Sequence, residues 1–284
     1  MRYQIFPECR ACLERLVDLT VSLATPDPEL QQRARSKALA IIARYFEPEA
    51  ISAVIANRFH RAIQEITGNP DPFLPCKQAE TAQLAYLFRE IAPSYHNHDL
   101  DALLRLAAVG NAVDFFRDKA EVIRDVHSRV AFAVSHLPRF QEILQSSRGL
   151  ILYLADNAGE QFFDQPLVAY LRSLGWQVLY VVKGGPIQND LTRADLAASS
   201  LQESLEPVVD TGARTVGLEL SQVSPEFRML YFQADLILAK GMGHYETLSR
   251  LADHRIFFLL QAKCRPVAQA LGVDRGRFVF CQNS

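Results

Sequence analysis

The stretch that decides the fold class is residues 149–160, which read Gly-Leu-Ile-Leu-Tyr-Leu-Ala-Asp-Asn-Ala-Gly-Glu. Its apolar part, residues 150–155, has no charge and no alternation of apolar with polar side chains, which is typical of a strand covered on both faces. Glycines at 149 and 159 bracket the run and favour a short strand over a buried helix. Asp156 and Asn157 therefore follow the carboxyl end of a buried strand, the place where open α/β sheets bind ligands.

The same pattern returns three times further along the chain. Further buried-strand candidates are residues 176–182, 234–239 and 255–260, and helical stretches such as 163–173 and 225–233 lie between them. Strands that alternate with helices predict an α/β fold with a doubly wound, mostly parallel sheet. The carboxyl ends of parallel strands share one edge of a sheet, so we expect the polar residues that follow them to converge there. These residues are Asp156, Asn157, Asp190, Lys240 and Lys263.

The first half of the chain has a different character. From residue 9 to about 138, apolar residues recur at helical spacing and predict helices over residues 10–24, 28–45, 48–67, 77–91, 100–114 and 121–137. We therefore divide the chain near residue 145, into an all-helical N-terminal subdomain (1–145) and an α/β domain that carries the metal and phosphate site (146–284). No long flexible linker separates the two parts, so we expect them to pack together.

The composition is that of an ordinary globular protein of 284 residues, with 49% hydrophobic and 22% charged residues and a formal net charge of −2. This charge balance gives no electrostatic basis for binding nucleic acid or an anionic membrane. No apolar stretch approaches the roughly 20 residues of a membrane span, and the first residues lack the apolar core of a signal peptide. We expect a cytoplasmic protein with a small-molecule partner, and the sequence does not indicate its oligomeric state.

Asp156, Asn157 and Asp190 together offer carboxylate and amide oxygens, the ligands that hard divalent ions such as Mg²⁺ and Mn²⁺ prefer. The alternative is that Asp156 and Asn157 cap the next helix, with Glu160 completing a capping box. Spacing alone leaves both interpretations open. Lys240 is followed by a glycine-rich turn that could lay backbone N–H groups and an ammonium against an anion, although a plain turn is the alternative.

Two further motifs carry weaker signals. Gly110 and Asn111, with Asp114 after them, lie inside a predicted helix, where glycine costs about 1 kcal/mol relative to alanine. Close packing or a role in the site would account for that glycine. Cys9 and Cys12 lie three residues apart on a predicted helix, but a closed zinc site needs about four ligands. Structural or unused thiols are the favoured interpretation.

Four motifs in the second half resemble those of the DUF89 family, the ARMT1-like metal-dependent damage-control phosphatases. They are Asp156-Asn157-Ala158-Gly159-Glu160, the run from Lys183 through Pro186, Ile187, Asn189, Asp190 and Thr192 to Asp195, the run from Asp235 through Lys240 and Gly241 to Tyr245 and Glu246, and Lys263-Cys264 with Pro266-Val267-Ala268. Each motif alone is weak, but the four occur in the family's order and spacing. The paired N-terminal cysteines and residues 110–114 resemble the family's prokaryotic branch.

The resemblance implies a helical subdomain on an α/β core and the hydrolysis of phosphomonoesters, such as sugar phosphates or damaged phosphometabolites, with Mn²⁺, Ni²⁺, Co²⁺ or Mg²⁺. By motif position it implies metal ligands at Asp156, Asn157 and Asp190. The implied catalytic residues are Asp156, Asn157 and Lys240, and the implied substrate or phosphate contacts are Lys240, Gly241, Tyr245, Glu246 and Lys263. We add Glu160, Asn111, Asp114 and His244 as candidate accessory residues. His244 replaces an asparagine that the family usually has, and it could alter the fit of the substrate or add a metal ligand.

Two mechanisms and two other classes of function stay open at this point. Asp156 is either a metal ligand or a nucleophile that forms an aspartyl-phosphate, and we favour the ligand because it joins Asn157 and Asp190 in one set of oxygen donors. The competing classes are a sensor that binds a phosphometabolite without hydrolysing it and a methyltransferase that acts on carboxylates. The sequence lacks a clear glycine-rich nucleotide-binding motif, which counts against the methyltransferase.

Overall fold

The structure, a computed structural model, describes residues 2–95, 99–111 and 130–283. Its centre is a single sheet of seven strands, β1 (Phe132–Ser135), β2 (Leu150–Leu154), β3 (Gln177–Val182), β4 (Val208–Asp210), β5 (Leu236–Lys240), β6 (Ile256–Gln261) and β7 (Phe278–Gln282). The strands lie in the order β1-β7-β6-β5-β2-β3-β4. Every neighbouring pair is parallel except β6 with β7. The predicted α/β fold with a mostly parallel sheet is therefore confirmed.

Twelve helices in the described ranges surround this sheet. They are α1 (Glu8–Ala24), α2 (Pro28–Tyr45), α3 (Ser52–Thr67), α4 (Leu74–Ile91), α5 (Leu100–Gly110), α6 (Leu137–Ser146), α7 (Gln161–Ser173), α8 (Arg193–Ala198), α9 (Gln202–Leu205), α10 (Pro225–Gln233), α11 (Gly241–Leu248) and α12 (Arg265–Leu271). Five of the six helices predicted in the first half are present, with α5 described as far as Gly110. Asp114 and residues 121–129 of the sixth prediction lie outside the described residues. No helix in the described ranges is long and apolar enough to cross a membrane.

The unbroken apolar run in β2 is explained by helices on both faces of the sheet. Ile151 and Tyr153 belong to one buried cluster, which also includes side chains of α4, α5 and α7. Leu152 and Leu154 belong to a second buried cluster, which includes side chains of α1, α2 and α3. Because successive side chains of a strand point to opposite faces, a strand covered on both sides is apolar at every position.

The strand β1 corrects the prediction of a helix over residues 121–137, which is wrong over Phe132–Ser135. This segment is an edge strand that pairs in parallel with β7, and its residues alternate between half-buried and exposed. Val130, Val134 and Leu137 recur at spacings of four and three residues, as on a helical face, so spacing alone could not separate the two structures. Helices from before residue 145 share both buried clusters with strands from after it, so the core shows no boundary at that point. The division of the chain near residue 145 stays a prediction.

The strand order also places the functional edge of the sheet. From β2 the chain runs outward through β3 and β4, and it then returns to place β5 on the other side of β2. The direction of the connections therefore reverses between β2 and β5. In open α/β sheets, ligands bind at the carboxyl ends of the strands beside such a reversal. Asp156 follows β2 at this point, and Gly241 follows β5.

Candidate active site

The turn after β2 and the loop after β3 are joined by backbone hydrogen bonds. Ala158 N–H donates to the Asn189 carbonyl (2.8 Å), and Leu191 N–H donates to the Asp156 carbonyl (2.8 Å). Asn157 and Asp190 face each other across an isolated antiparallel bridge. The backbone therefore brings the three predicted metal ligands, which are 34 residues apart at most (156 to 190), into one corner.

The turn itself depends on Gly159, whose φ is +98°. A Cβ at this position would lie 2.6 Å from Leu84 Cδ1 of α4, so only glycine allows both the turn and the close approach of that helix. The capping interpretation of the turn is wrong, because Glu160 is the residue before α7 and no side chain caps that helix. The side chains of Asp156 and Asn157 are thus available for another role.

Two amides orient the Asp156 carboxylate. Asp156 Oδ2 accepts hydrogen bonds from Asn111 Nδ2 (2.9 Å) and Asn157 Nδ2 (3.1 Å). The same two nitrogens donate to Glu160 Oε1, at 3.1 and 2.7 Å. Asn111 is held in turn by the backbone N–H of Gln261 at the end of β6, which donates to its Oδ1 (3.2 Å). Because the Asn157 nitrogen is bound to two carboxylates, its amide oxygen is the atom that can bind a cation.

Asp190 lies against a buried lysine. Lys183 Nζ is 3.3 Å from Asp190 Oδ2, and it also donates to the Gly217 carbonyl (2.7 Å) and to His244 Nε2 (3.1 Å). His244 Nδ1 lies 2.6 Å from the Lys240 carbonyl, which can only accept, so Nδ1 carries the proton and Nε2 accepts from Lys183. Both nitrogens of His244 are therefore engaged within the protein, and neither is left to bind a metal.

The Lys240 ammonium lies behind the corner formed by Asp156, Asn157 and Asp190 and is not at its solvent-facing side. It is fully buried and contacts Glu160 Oε2 (2.9 Å) and Asp164 Oδ1 (2.6 Å). Asp164 also accepts hydrogen bonds from the hydroxyl groups of Tyr153 (2.7 Å) and Tyr180 (2.8 Å). Burial alone would lower the pKa of Lys240, but the two carboxylates outweigh it and raise that pKa. Lys240 is thus a permanent cation that holds Glu160 beneath the corner.

The other predicted contact residues occupy three different places. Gly241 has a φ of +78°, and a Cβ there would lie 1.8 Å from Asp156 Oδ2, so the backbone at the start of α11 touches the metal corner. The Tyr245 ring packs edge-on against Phe258 in the core (5.1 Å between centroids). Glu246 accepts a hydrogen bond from Ala53 N–H in the first turn of α3 (3.0 Å). Burial raises the pKa of Glu246 to about 7.

The electrostatics of the corner favour a cation. Burial, and after it the negative charges of Glu160 and Asp190, raises the pKa of Asp156 well above its usual range, while Lys183 and Lys263 oppose that shift. Lys263 is therefore close enough for its charge to act on the corner. Its role as a phosphate contact stays a prediction. Burial likewise raises the pKa of Asp190 to about 6, against the opposing charge of Lys183. A divalent ion would offset the repulsion between these acids.

The donor set fits a hard divalent metal. Asp190 Oδ2 is buried, and no residue of the described ranges donates a well-directed hydrogen bond to it. The Lys183 ammonium, 3.3 Å away, offsets part of its charge, and the oxygen still has lone pairs that a metal could use. No three His, Cys, Asp or Glu side chains in the described ranges are grouped as a metal site, so Asn157 would have to complete the set with Asp156 and Asp190. This result also gives no support to a zinc site that includes Cys9 and Cys12.

A cavity of about 880 Å³ adjoins the loop that carries Asp190. It lies between α4 and α8, with Lys183 and Thr192 on its wall and the exposed side of α4 opposite. At its base, Lys77 Nζ joins Asp71 (2.7 Å) and Asp195 (2.9 Å), and Asp195 forms a capping box with Thr192 at the start of α8. Its volume is at the upper end of the range for small-molecule sites.

Comparison with known proteins establishes the class to which this fold and site belong. Residues 5–279 match the family described as the damage-control phosphatase ARMT1-like domain, and the chain belongs to that family. The chain is 34% identical over 282 residues to the damage-control phosphatase PH1575 of Pyrococcus horikoshii, covering 97% of each chain. It is 32% identical to a damage-control phosphatase of Archaeoglobus fulgidus, covering 97% of this chain and 98% of the relative.

The fold agrees with an experimental structure in the same family. The crystal structure of the DUF89 family protein PH1575 superposes with a TM-score of 0.88 at 33% identity and covers 99% of both chains. The resemblance that we noted from four motifs is thus confirmed over the whole chain. The names of the relatives support a phosphatase.

Sequence reasoning assigned no role to two residues that shape the corner. Lys183 was part of a motif, but its contact with Asp190 depends on the conformation of the loop between them, which residue spacing does not predict. Asp164 lies four residues after Glu160, on the same face of the turn that enters α7. Two acids at this spacing on a largely apolar face were a signal that a buried cation would lie between them.

Proposed function

We propose that the protein is a metal-dependent phosphatase that hydrolyses phosphomonoesters of small metabolites, such as sugar phosphates or damaged phosphometabolites. One observation carries the proposal. Asp156, Asn157 and Asp190 lie together where the sheet connections reverse, and within the described ranges Asp190 Oδ2 has the Lys183 ammonium at 3.3 Å as an ionic contact but no well-directed hydrogen bond. We propose that these three residues hold Mn²⁺, Ni²⁺, Co²⁺ or Mg²⁺, and that the protein works in the cytoplasm.

A divalent metal held by Asp156, Asn157 and Asp190 would supply polarisation of a phosphoryl oxygen and orientation of a water. The residues of the chain supply the rest of the site. Asn111 and Glu160 fix the orientation of Asp156 and Asn157 through the amide hydrogen bonds described above. The backbone at the start of α11 lies against the same corner, and the Lys263 charge acts on it. In this proposal both stabilise negative charge on the phosphoryl group. Met242 and Gly243 follow Gly241 in this turn.

The role of Lys240 follows from its position. Its ammonium is bound to Glu160 and Asp164, so we propose that it positions Glu160 instead of contacting the phosphate. Asp156 is a ligand in this proposal. The nucleophile alternative remains a prediction of the sequence, and trapping of an aspartyl-phosphate after rapid mixing with substrate would support it.

The test is hydrolysis of p-nitrophenyl phosphate and of a panel of sugar phosphates, with each of the four metals added to chelator-treated protein. We expect activity only with metal, and we expect Asp156→Ala to lower kcat/KM by at least about 100-fold. Asp18→Ala is the matched control, because Asp18 forms an exposed ion pair with Arg35 far from the corner in sequence. Activity that survives EDTA, or that survives Asp156→Ala, would contradict the metal mechanism. Binding without turnover would favour the sensor.

A further inference from the structure

The loop that carries Asp190 contains a strained residue. Gln188 has a φ of +45°, and it is the only non-glycine residue of the described ranges with a positive φ. Residues other than glycine rarely adopt this backbone conformation, and they keep it only when the surrounding structure imposes it. Gln188 lies two residues before Asp190, whose N–H donates to the carbonyl of Ile187 (3.1 Å). The backbone between them is therefore a single tight turn.

What holds Gln188 in place is a buried histidine from the helical region. Gln188 Nε2 lies 2.9 Å from His60 Nε2 on α3, and His60 is 2% exposed. The side-chain amide nitrogen can only donate, so His60 Nε2 accepts and His60 Nδ1 carries the ring proton. Burial lowers the pKa of His60 to about 3, which keeps the ring neutral and Nε2 able to accept at ordinary pH.

The His60 ring is itself fixed on its other side. His60 Nδ1 lies 3.4 Å from Thr20 Oγ1 of α1, and the Thr20 hydroxyl donates to the carbonyl of Leu16 (2.7 Å). Since the hydroxyl proton is used, Thr20 Oγ1 is the acceptor for the His60 N–H. The rings of Phe59 and Phe73 pack against the imidazole, at 4.7 and 6.0 Å between centroids. A continuous chain of donors thus runs from Gln188 through His60 to α1.

Two neighbouring contacts bind the same loop to the helical region. Gln64, one turn after His60 on α3, donates from Nε2 to the carbonyl of Pro186 (3.2 Å). Asn189 Nδ2 lies 3.4 Å from Glu80 Oε2 on α4. Three consecutive parts of the loop are therefore bound to α3 and α4. The His60 contact is the one made by the strained residue.

We propose that His60 is a positioning residue for the metal ligand Asp190, and that it acts through Gln188. The inference rests on the proposed function, because it requires a metal at Asp190. Without the acceptor on His60, Gln188 is free to leave the left-handed region, and the turn that follows it moves the Asp190 carboxylate away from Asp156. Residues that orient ligands in this way typically change metal affinity by about 10- to 100-fold.

The test is Mn²⁺ binding measured by calorimetry on the chelator-treated, desalted full chain. His60→Phe retains a ring between Phe59 and Phe73 but removes both hydrogen bonds, and we expect Mn²⁺ to bind about 10- to 100-fold more weakly. His60→Gln retains an amide oxygen that can accept from Gln188, and its affinity should lie between that of His60→Phe and wild type. Ile63→Val is the matched control, because it removes a methyl group from the buried face of α3 but removes no hydrogen bond to the loop.

Gln188→Leu tests the same contact from the loop and leaves the α3 core intact, so it decides the matter if His60→Phe does not fold. Weaker Mn²⁺ binding by Gln188→Leu, with the Ile63→Val affinity unchanged, supports the inference. Wild-type affinity in both His60→Phe and Gln188→Leu overturns it and leaves the proposed function intact. If the wild-type chain itself binds no Mn²⁺, Co²⁺, Ni²⁺ or Mg²⁺, the proposed function fails and this inference fails with it.

Discussion

Replacing Lys240 by methionine separates a structural role from a catalytic one. Methionine keeps an unbranched apolar side chain of similar length and removes the ammonium. In the wild-type protein this ammonium is fully buried and lies within 3 Å of Glu160 Oε2 (2.9 Å) and Asp164 Oδ1 (2.6 Å). The substitution would therefore leave two carboxylates in the interior without their cation.

The expected loss of stability can be estimated from these contacts. Removing one partner of a buried ion pair costs about 3–5 kcal/mol, because the remaining charge stays desolvated. Asp164 retains two tyrosine hydroxyl donors, and Glu160 retains two amide donors, so we expect a value near the lower limit, about 3 kcal/mol. Domains of this kind have about 5–15 kcal/mol of total stability, so Lys240→Met should still fold.

The sign of the pH dependence is a second signature. Burial already raises the pKa of Asp164 against the opposing charge of Lys240, and without the lysine that pKa rises further. The pKa of Glu160, which burial would raise but Lys240 holds below its usual value, also rises when the lysine is removed, so each acid then takes up its proton more readily in the folded chain. Protonation then favours the folded state, so the difference in stability between variant and wild type should be largest near pH 8 and should shrink toward pH 5.

Urea unfolding followed by circular dichroism between pH 5 and 8 measures both quantities. The double variant Lys240→Met/Asp164→Asn should recover part of the loss, because it removes one of the two uncompensated charges. Arg35→Met, which breaks an exposed pair with Asp18, should unfold at nearly the same urea concentration as wild type. The reasoning is refuted if Lys240→Met unfolds like wild type at pH 8 yet hydrolyses no substrate, since Lys240 would then act on the substrate.

Three further predictions concern the turn, the cavity and the buried imidazole. Gly241→Ala and Gly68→Ala both place a side chain at positive φ. Gly68→Ala should lose about 1 kcal/mol of stability in urea, because a Cβ at 68 meets nothing within 4 Å. Gly241→Ala should lose more, and it alone should lose metal affinity in calorimetry, because its Cβ would lie 1.8 Å from Asp156 Oδ2. Ala82→Trp places a large side chain in the cavity, so it should raise KM for bulky phosphomonoesters and leave the Mn²⁺ affinity unchanged. Ala79→Trp, on the same helix but outside the cavity wall, should change neither quantity. Equal KM values in the two variants would show that the substrate does not occupy the cavity. Burial lowers the pKa of His60 from 6.5 to about 3, so the free energy of unfolding of wild type should fall by up to roughly 5 kcal/mol as the pH drops from 6.5 to 3. The free energy of unfolding of His60→Phe should fall by less over the same range. The same pH dependence in both proteins would contradict this prediction.

The strands that the sequence predicted are those with helices on both faces. Residues 150–155 are apolar throughout, and residues 176–182, 234–239 and 255–260 are apolar apart from Gln177, Asp235 and Arg255 at or near their starts. The strands β2, β3, β5 and β6 lie within or next to those limits. The three that were missed carry weaker signals. β4 has only three residues, β1 is an alternating edge strand, and β7 is recognisable only through its pairing with β1 and β6.

The candidate site divides in the same way. Strand ends predicted that Asp156, Asn157 and Asp190 would converge, because the direction of parallel strands determines where those ends lie. The direction of a side chain depends instead on the pleat and on what packs against it. Lys240 ends β5 on the face that α7 covers, so its ammonium meets Glu160 and Asp164, a contact 76 to 80 residues away in sequence.

The place of β7 has a consequence for how the molecule is made. This strand lies between β1 and β6, although it is the last of the seven to be synthesised. On the ribosome, β1 has no partner in the sheet while every later strand emerges, and its pairing partner arrives only with residues 278–282. A chain interrupted before that point would expose one edge of β6 and leave β1 detached, which marks it for proteolysis or aggregation. Completion of the sheet thus waits for residues 278–282.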